Sequence, residues 1–180
     1  MLQNSFYFIR HGETELNAQN KCCGGGTDAS LNETGRQQAI NLKEKLKNYK
    51  FSNIISSPMK RARETAKILL GKNFTIIEDL KEWNIGIYEE QTLELFLPYI
   101  KTYPDTTPIP EGESKREFFD RSIVPINNAI KSYKNDFLIV AHGGIYWSIL
   151  DAFKLPRDHI ENCQLTRFYK SEGLWGKEFL

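Results

Sequence analysis

Short apolar runs alternate with amphipathic stretches along this 180-residue chain, and that alternation is typical of strands and helices in an α/β fold. The apolar runs predict four strands, at Ser5–Ile9, Asn53–Ser56, Phe74–Glu78 and Phe137–Val140. The fourth run is almost wholly apolar, which favours a strand buried on both faces of a parallel sheet. Two further runs predict a terminal hairpin with its turn at residues 171–173, namely Gln164–Tyr169 and Leu174–Leu180.

Apolar residues at helical spacing predict helices between these strands, at Asn32–Tyr49, from Ser57 to Leu70, at Ser114–Tyr133 and at Tyr146–Phe153. Asn32 and Ser57 are expected to be N-caps, with Pro58 in the first turn of its helix. Gly71 fits a helix end, whereas Pro125 is expected to bend or split its helix. This order of elements predicts a three-layer α/β/α sandwich around a mostly parallel, mixed sheet.

Composition narrows the possible partners. The chain has 24 basic and 23 acidic residues, so its charge favours neither nucleic acid nor a membrane surface. Its length suits one domain, residues 1–180. No apolar run is long enough for a membrane span and the N-terminus lacks the pattern of a secretion signal, so we expect a cytoplasmic protein. The adjacent Cys22 and Cys23, together with Cys163, predict free thiols rather than a disulfide framework.

Residues with phosphate-binding chemistry follow three of the predicted strands. Arg10 and His11 follow the first strand, His142 and Gly143 follow the most apolar one, and Arg61 lies on the helix after the second. Ligands of open α/β sheets bind beyond the carboxyl ends of the strands. Two imidazoles and two guanidiniums at that edge therefore predict a cationic pocket suited to a phosphate group.

Each of these residues has a simpler interpretation when it is considered alone. A histidine at a strand end can be an ordinary polar loop residue, and Arg61 can be a solvated helix residue. The glycines at 24–26 are not followed by the lysine and hydroxyl residue of a P-loop, so they favour a flexible turn. A zinc site formed by His11, His142 and a cysteine stays open, although the usual ligand spacing is missing.

Six motifs carry a more specific signal together than any of them carries alone. They are, in chain order, "RHGETELN", "TDASLNETGRQQA", "SSPMKRARETA", "LKEWNIGIYEE", "EGES" and "VAHGG". The set resembles the histidine phosphatase superfamily, in the branch that contains cofactor-dependent phosphoglycerate mutases and fructose-2,6-bisphosphatases. The resemblance runs from Arg10 to Gly144, about three quarters of the chain, and implies a phosphoglycerate mutase-like fold.

The resemblance also implies roles for individual side chains. His11 corresponds to the nucleophile that becomes phosphorylated, and Glu82 to the proton donor, because "LKEWNIG" fits the pattern L-x-E-x-x-x-G. The groups expected to bind the phosphoryl group or the substrate are Arg10, Asn17, Arg61, His142 and Gly143. We expect no metal and no cofactor, because guanidinium and imidazole groups take the place of the metal ions in kinases.

This chemistry predicts hydrolysis of a phosphomonoester through a phosphohistidine intermediate. A neutral His11 would attack phosphorus, and Glu82, with a pKa raised by a partly dry site, would protonate the leaving alcohol. Residues 85–110 are expected to form a small specificity cap, in which Lys101 is the only basic residue. The cap therefore favours a small metabolite with a neutral leaving group, such as a sugar phosphate or a ribazole-phosphate-like ester.

Other functions remain open at this stage. A phosphoprotein phosphatase or a phosphopeptide-binding regulator fits the same motifs. A phosphoglycerate mutase is less favoured, because the cap is short and the chain ends directly after its last predicted strand. The resemblance leaves the oligomeric state open, with a dimer as one option.

Several acidic residues have more than one candidate role. Glu78, Asp79, Glu89 and Glu90 are rivals of Glu82 for the role of proton donor. The motif "EGES", Glu111 to Ser114, either supplies a backbone or side-chain contact near the phosphate or serves to cap the following helix through Ser114. Glu13 is expected to orient polar groups near the pocket. Two departures from the family pattern put the substrate in doubt, namely Glu90 where glycine is frequent and Lys21 as the only basic residue of "KCCGGGTD".

Overall fold

A mixed six-stranded sheet lies at the centre of the molecule. The structure, a computed structural model, describes residues 5–71, 73–102, 104–134 and 136–180. The strands are β1 Phe6–Arg10, β2 Asn53–Ser56, β3 Thr75–Ile76, β4 Phe137–Ala141, β5 Leu165–Ser171 and β6 Leu174–Phe179. Their spatial order is β3-β2-β4-β1-β5-β6, in which the first four are parallel and β5 is antiparallel to both of its neighbours. The predicted fold class and the terminal hairpin are confirmed.

Helices cover both faces of this sheet. The α-helices of the described residues are α1 Glu15–Ala18, α2 Glu33–Lys45, α3 Lys60–Leu70, α4 Leu93–Thr102, α5 Lys115–Ser132 and α6 Gly143–Ala152. Short 3₁₀ turns lie at Leu46–Asn48, Glu78–Leu80 and Gly86–Tyr88. None of the helices in these parts of the chain is both long and apolar enough to cross a membrane.

The two faces of the central strands supply two separate hydrophobic cores, because successive side chains of a strand point in opposite directions. Phe6 and Phe8 of β1 pack in a cluster with α5 and α6, whereas Tyr7 and Ile9 pack with α2 and α3. Every residue of β4 is buried, as its apolar sequence predicts. The three layers follow from this alternation.

The parallel pairing of β1 with β4 brings two distant parts of the sequence together. Arg10 is paired with Ala141 in the register of the two strands, and the amide of His11 donates to the carbonyl oxygen of Ala141 at 3.0 Å. On the other side of β4, the Ser57 amide donates to the Val140 carbonyl oxygen at 3.0 Å. Three strand ends thus meet at one edge of the sheet.

Two helices begin at residues other than those predicted. Helix α3 begins at Lys60 rather than at Ser57, and the Lys60 amide donates to Oδ1 of Asp28 at 2.7 Å. The Asp28 carboxylate, from a loop distant in sequence, therefore accepts the hydrogen bond that a local N-cap side chain would accept. Helix α6 begins at Gly143, three residues earlier than predicted, and the Gly144 amide in its first turn donates to Oε2 of Glu82 at 3.0 Å. Both differences depend on tertiary contacts.

Other boundaries also differ from prediction. The strand predicted at Phe74–Glu78 shrinks to β3, since Glu78 already begins a 3₁₀ turn. Helix α5 continues past Pro125, so of the two expected effects the split is wrong, and the bend stays a prediction. Its buried face holds both halves in the core, and that burial outweighs the single backbone hydrogen bond that proline removes. Asn32 is the N-cap of α2 and Gly71 ends α3, as predicted.

The segment predicted as a cap contains α4. The sequence analysis did not predict this helix, which has Pro98 in its interior. Phe96, Tyr99 and Ile109 of this segment are buried in the same cluster as the side chains of α5 and α6. Residue 103 of the predicted range lies outside the described residues. The role of residues 85–110 in specificity stays a prediction, as does the single-domain organisation.

Gly35 tests how closely α2 packs on the loop after β1. A Cβ at Gly35 would lie 2.1 Å from the Glu13 carbonyl oxygen. Alanine normally stabilises a helix by about 1 kcal/mol relative to glycine. Here we expect Gly35→Ala to lower the free energy of unfolding by about 1–3 kcal/mol, because backbone must move. Urea unfolding measures the change. Gly143→Ala is the control, since its Cβ meets no atom closer than 3.9 Å. An unchanged midpoint for Gly35→Ala would contradict the packing.

Candidate active site

His11, the predicted nucleophile, is held in one tautomer. Its Nδ1 lies 2.7 Å from the carbonyl oxygen of Gly12. Because a carbonyl only accepts hydrogen bonds, Nδ1 carries the proton and Nε2 keeps its lone pair. Burial, followed by the charges of Arg61 and Arg10, holds the pKa of His11 well below its usual value. The imidazole is therefore neutral near pH 7, the state in which it can act as a nucleophile.

The loop that precedes β5 fixes the end of β1. Asn162 donates from Nδ2 to the carbonyl oxygen of His11 at 2.9 Å, and the Cys163 amide donates to that of Arg10 at 2.9 Å. The sequence analysis missed Asn162. No local signal marks it, since its contact depends on how the loop returns to the sheet.

Arg61 is fully buried beside His11. Its Nε donates to Nε2 of His11 at 3.3 Å. Its terminal nitrogens donate to three loop carbonyl oxygens, those of Cys23, Gly24 and Thr27, at 2.9–3.1 Å. Four of the five guanidinium N–H groups are therefore used within the protein, and Arg61 fixes the shape of the loop at residues 23–27.

His142 is also fully buried, with its ring centroid 5.2 Å from that of His11. Its Nε2 lies 2.6 Å from the hydroxyl oxygen of Ser57, whereas Nδ1 has no hydrogen-bond partner among the described residues. Burial, followed by the charge of Arg61, holds the pKa of His142 well below its usual value. If the Ser57 hydroxyl donates to Nε2, the Nδ1–H group is available to an incoming acceptor.

Glu82 is positioned by two backbone amides. Its Oε1 accepts from the Trp83 amide at 2.8 Å and its Oε2 from the Gly144 amide at 3.0 Å. Burial raises the pKa of Glu82 above its usual value, although both hydrogen bonds and the nearby arginines act in the opposite direction. A carboxyl group in this position holds its proton at a higher pH than an exposed one.

Arg10 and Gly143 present unused donors at the same edge. Arg10 donates from Nη1 to the Ile160 carbonyl oxygen at 2.7 Å, while its buried Nε has no partner among the described residues. Gly143 is the first residue of α6, and amides in the first turn of a helix lack intrahelical acceptors. Such amides favour anions.

A cavity of about 490 Å³ opens beside these groups. Its wall contains five of the seven predicted site residues, namely Arg10, His11, Asn17, Glu82 and Gly143. The other two, Arg61 and His142, are in contact range of His11 but form no part of the wall. Within the described ranges no three His, Cys, Asp or Glu side chains form a group that could hold a metal ion, so the zinc alternative lacks a ligand set.

The rivals of Glu82 are placed elsewhere. The oxygens of Glu89 accept from three backbone amides, those of Gly24, Gly26 and Ile85. Glu78, Asp79 and Glu90 form no part of the cavity wall. Glu90 has a φ of +62°, in the left-handed region that favours glycine, which explains why the related pattern frequently has glycine there.

The remaining polar predictions divide into structural and pocket residues. Ser114 caps α5 in a capping box with Glu117, so the helix-capping interpretation is confirmed. Glu13 lines the cavity and accepts from Asn32 at 2.8 Å. Cys22, Cys23 and Cys163 are free thiols, as predicted.

Fold and site together define a class: an α/β protein with hydrogen-bond donors and a neutral, buried imidazole at one edge of its sheet. Comparison with known proteins identifies the family. The family model of the histidine phosphatase superfamily (branch 1) matches residues 6–176. The chain belongs to this superfamily. The expected family and enzyme class are confirmed, while the roles of individual side chains stay predictions.

Individual relatives agree with that assignment. The chain is 38% identical to "Uncharacterized phosphatase PhoE" of Bacillus subtilis, with 93% of this chain and 89% of that protein covered. It is 30% identical to "Probable phosphoglycerate mutase GpmB" of Escherichia coli, over 94% and 86% of the two chains. The solved structure of the alpha-ribazole phosphatase from Shigella flexneri has the same fold, with a TM-score of 0.82, 22% identity and coverage of 98% and 96%.

The buried imidazoles predict how stability depends on pH. The pKa of His11 is lower in the folded protein than the value of about 6.5 for an unfolded chain. Its stabilising contribution is therefore present above pH ~6.5 and is lost as the pH falls below that value. His142 acts in the same direction. We expect the free energy of unfolding to fall by up to about 1.4 kcal/mol per pH unit for each imidazole.

Urea unfolding between pH 5 and pH 8 measures this dependence. His11→Asn keeps a donor toward Gly12 and removes the titrating group, so its stability should depend less steeply on pH than that of the parent protein. Replacing both histidines should flatten the dependence further. Equal slopes in all three proteins would show that the imidazoles are protonated equally in the folded and unfolded states.

Proposed function

We propose that this protein is a metal-independent phosphomonoester hydrolase that acts through a phosphohistidine intermediate on a small phosphorylated metabolite. The observation that carries the proposal is the tautomer of His11. The Gly12 carbonyl oxygen holds the proton on Nδ1, so Nε2 carries the lone pair. That lone pair accepts from Nε of Arg61, and this hydrogen bond would be given up when Nε2 attacks phosphorus. Attack forms an N–P bond and breaks the bond between phosphorus and the ester oxygen.

The donors around His11 suit the charge of a transferring phosphoryl group. Arg10, Gly143 and Asn17 line the cavity, and the buried Nε of Arg10 has no hydrogen-bond partner among the described residues. With the Ser57 hydroxyl donating to Nε2 of His142, the Nδ1–H group of the same ring is a further donor. Arg61 contributes its positive charge next to Nε2 of His11. Fixed donors of this kind lower the barrier because they need no reorganisation during reaction.

Glu82 has the properties of the general acid and base. Its raised pKa keeps a proton available for the leaving alkoxide, which departs as an alcohol. The carboxylate that remains then takes a proton from water. The resulting hydroxide attacks phosphorus, the N–P bond breaks, and His11 returns to its neutral state.

The outer cavity wall favours a neutral leaving group. Lys21 lies there with two carboxylates, Glu13 and Glu161, and with the apolar side chains of Leu93 and Trp147. A second anionic group on the substrate would meet more negative than positive charge. A sugar phosphate or ribazole-phosphate-like ester meets this requirement better than a phosphorylated acid such as a phosphoglycerate does. This argument favours hydrolase over mutase chemistry.

A trapping experiment tests the intermediate. The enzyme is mixed with a ³²P-labelled phosphomonoester in the presence of excess chelator and is quenched without acid. We expect acid-labile, base-stable label on His11 and continued turnover in chelator. His11→Asn should carry no label. Label that persists in this variant would reject His11, and loss of turnover that a divalent metal restores would reject metal independence.

A second experiment tests the proton donor. Glu82→Gln keeps the size of the side chain and removes the proton, and a positioned acid contributes about 10²–10⁴-fold. We expect kcat/KM for an alkyl phosphate to fall by that factor. Nitrophenyl phosphate, whose leaving group needs no proton, should lose less than about threefold. The kcat/KM value reports the steps up to and including the first chemical step, so the comparison tests protonation of the leaving group.

Glu89→Gln is the control, because it tests whether Glu89 rather than Glu82 is the proton donor. An equal loss on both substrates would show that Glu82 orients the site without donating a proton. If only Glu89→Gln shows the contrast between the two substrates, the donor is Glu89.

A further inference from the structure

We propose that Arg121 and Glu113 form a positioning pair that holds the general acid Glu82 in place. Neither residue is part of the cavity wall, and neither touches the reacting groups. The inference rests on the proposed function, because it concerns the loop that carries Glu82. It gives Glu113, from the motif "EGES", a role other than the phosphate contact considered for that turn.

All five N–H donors of Arg121 are used. Two donate to the Glu113 carboxylate, at 2.9 Å from Nε and 2.5 Å from Nη2. The other three donate to carbonyl oxygens of the loop that carries the acid, those of Asp79, Lys81 and Glu82, at 2.8–3.0 Å. A lysine could not make this set of contacts, because its ammonium group has three donors at a single point.

Glu113 holds the other side of the same loop. Its Oε1 accepts from the Asn84 amide at 2.8 Å, and its backbone carbonyl oxygen accepts from Nε1 of Trp83 at 2.9 Å. The Glu113 amide donates to the Asn84 carbonyl oxygen at 3.0 Å. The pair therefore contacts the chain before, at and after Glu82.

Aromatic packing supports the pair. The Arg121 guanidinium lies over the ring of Phe118, 5.0 Å from its centroid. Phe118 is stacked on Trp83, with ring centroids 5.6 Å apart and an interplanar angle of 10°. The side chains of Arg121 and Glu113 are only 25% and 17% exposed, so their ion pair is less weakened by water than a surface pair would be.

The Glu82 carboxyl group has little space in which to move. A Cβ on Gly144 would lie 2.3 Å from Oε1 of Glu82 and 3.0 Å from the ring of Phe118. The Glu82 carboxyl group therefore fits closely against α6, where it accepts a hydrogen bond from the Gly144 amide. A shift of about 1 Å in a catalytic group can cost on the order of 100-fold in rate. Movement of the loop would impair proton donation first, because the loop carries Glu82 itself, whereas His11 is held at the end of β1 by its own backbone hydrogen bond to Ala141.

Leaving-group dependence distinguishes positioning from a merely structural role. We expect Arg121→Met to lower kcat/KM for an alkyl phosphate by about 10–100-fold and that for nitrophenyl phosphate by less than threefold. Arg121→Lys should recover only part of the loss. Arg116→Met is the matched control, because Arg116 pairs with Asp120 on the exposed face of the same helix. It should leave the ratio between the two substrates unchanged.

Glu113→Gln provides a second variant if Arg121→Met fails to fold. It keeps the shape of the side chain, removes the charge, and should shift the ratio in the same direction. Equal losses on both substrates, or no loss, would overturn the positioning role. Failure of the proposed function is distinguishable, because Glu82→Gln would then show no contrast between the substrates. A contrast in Glu82→Gln without one in Arg121→Met or Glu113→Gln rejects this inference alone.

Discussion

The pairing of β1 with β4 is the contact on which the site depends. The register that places Arg10 beside Ala141 also places His11 next to His142, although more than a hundred residues separate them in the chain. Both strands are buried on two faces, and a slip of one residue would turn every side chain to the opposite core. The hydrophobic alternation that stabilises the sheet therefore also determines the distance between the two imidazoles.

Burial then determines the protonation states at that edge. The same removal of water lowers the pKa of His11 and raises that of Glu82, since it penalises whichever form is charged. Burial thus favours the neutral form of both side chains at the same edge. Burying Arg61 as well is possible because its donors meet loop carbonyl oxygens and Nε2 of His11.

The two halves of the site are held in different ways. Backbone hydrogen bonds of the sheet fix His11, and a change there would disturb the whole fold. Glu82 lies on an irregular segment, where the Arg121 and Glu113 side chains supply contacts that a sheet would otherwise provide. The position of the Glu82 carboxyl group therefore depends on side-chain contacts, whereas that of His11 depends on the sheet.

The sequence by itself determined the α/β class, the family, and the placement of Arg10, His11 and His142 after strands. Motifs that require a particular residue next to a strand end, such as Arg10 and His11, are local, and local patterns survive in the sequence. Asn32 as an N-cap was predictable for the same reason.

Only the tertiary structure decided which hydrogen-bond donors and acceptors pair with one another. Asp28 replaces Ser57 as the cap of α3, Asn162 reaches the His11 carbonyl oxygen, and Arg121 holds the loop of Glu82. Each of these contacts joins residues far apart in sequence, and each polar side chain has many possible partners until the chain is folded. Burial makes the choice, because a buried donor or acceptor without a partner costs free energy that an exposed one does not.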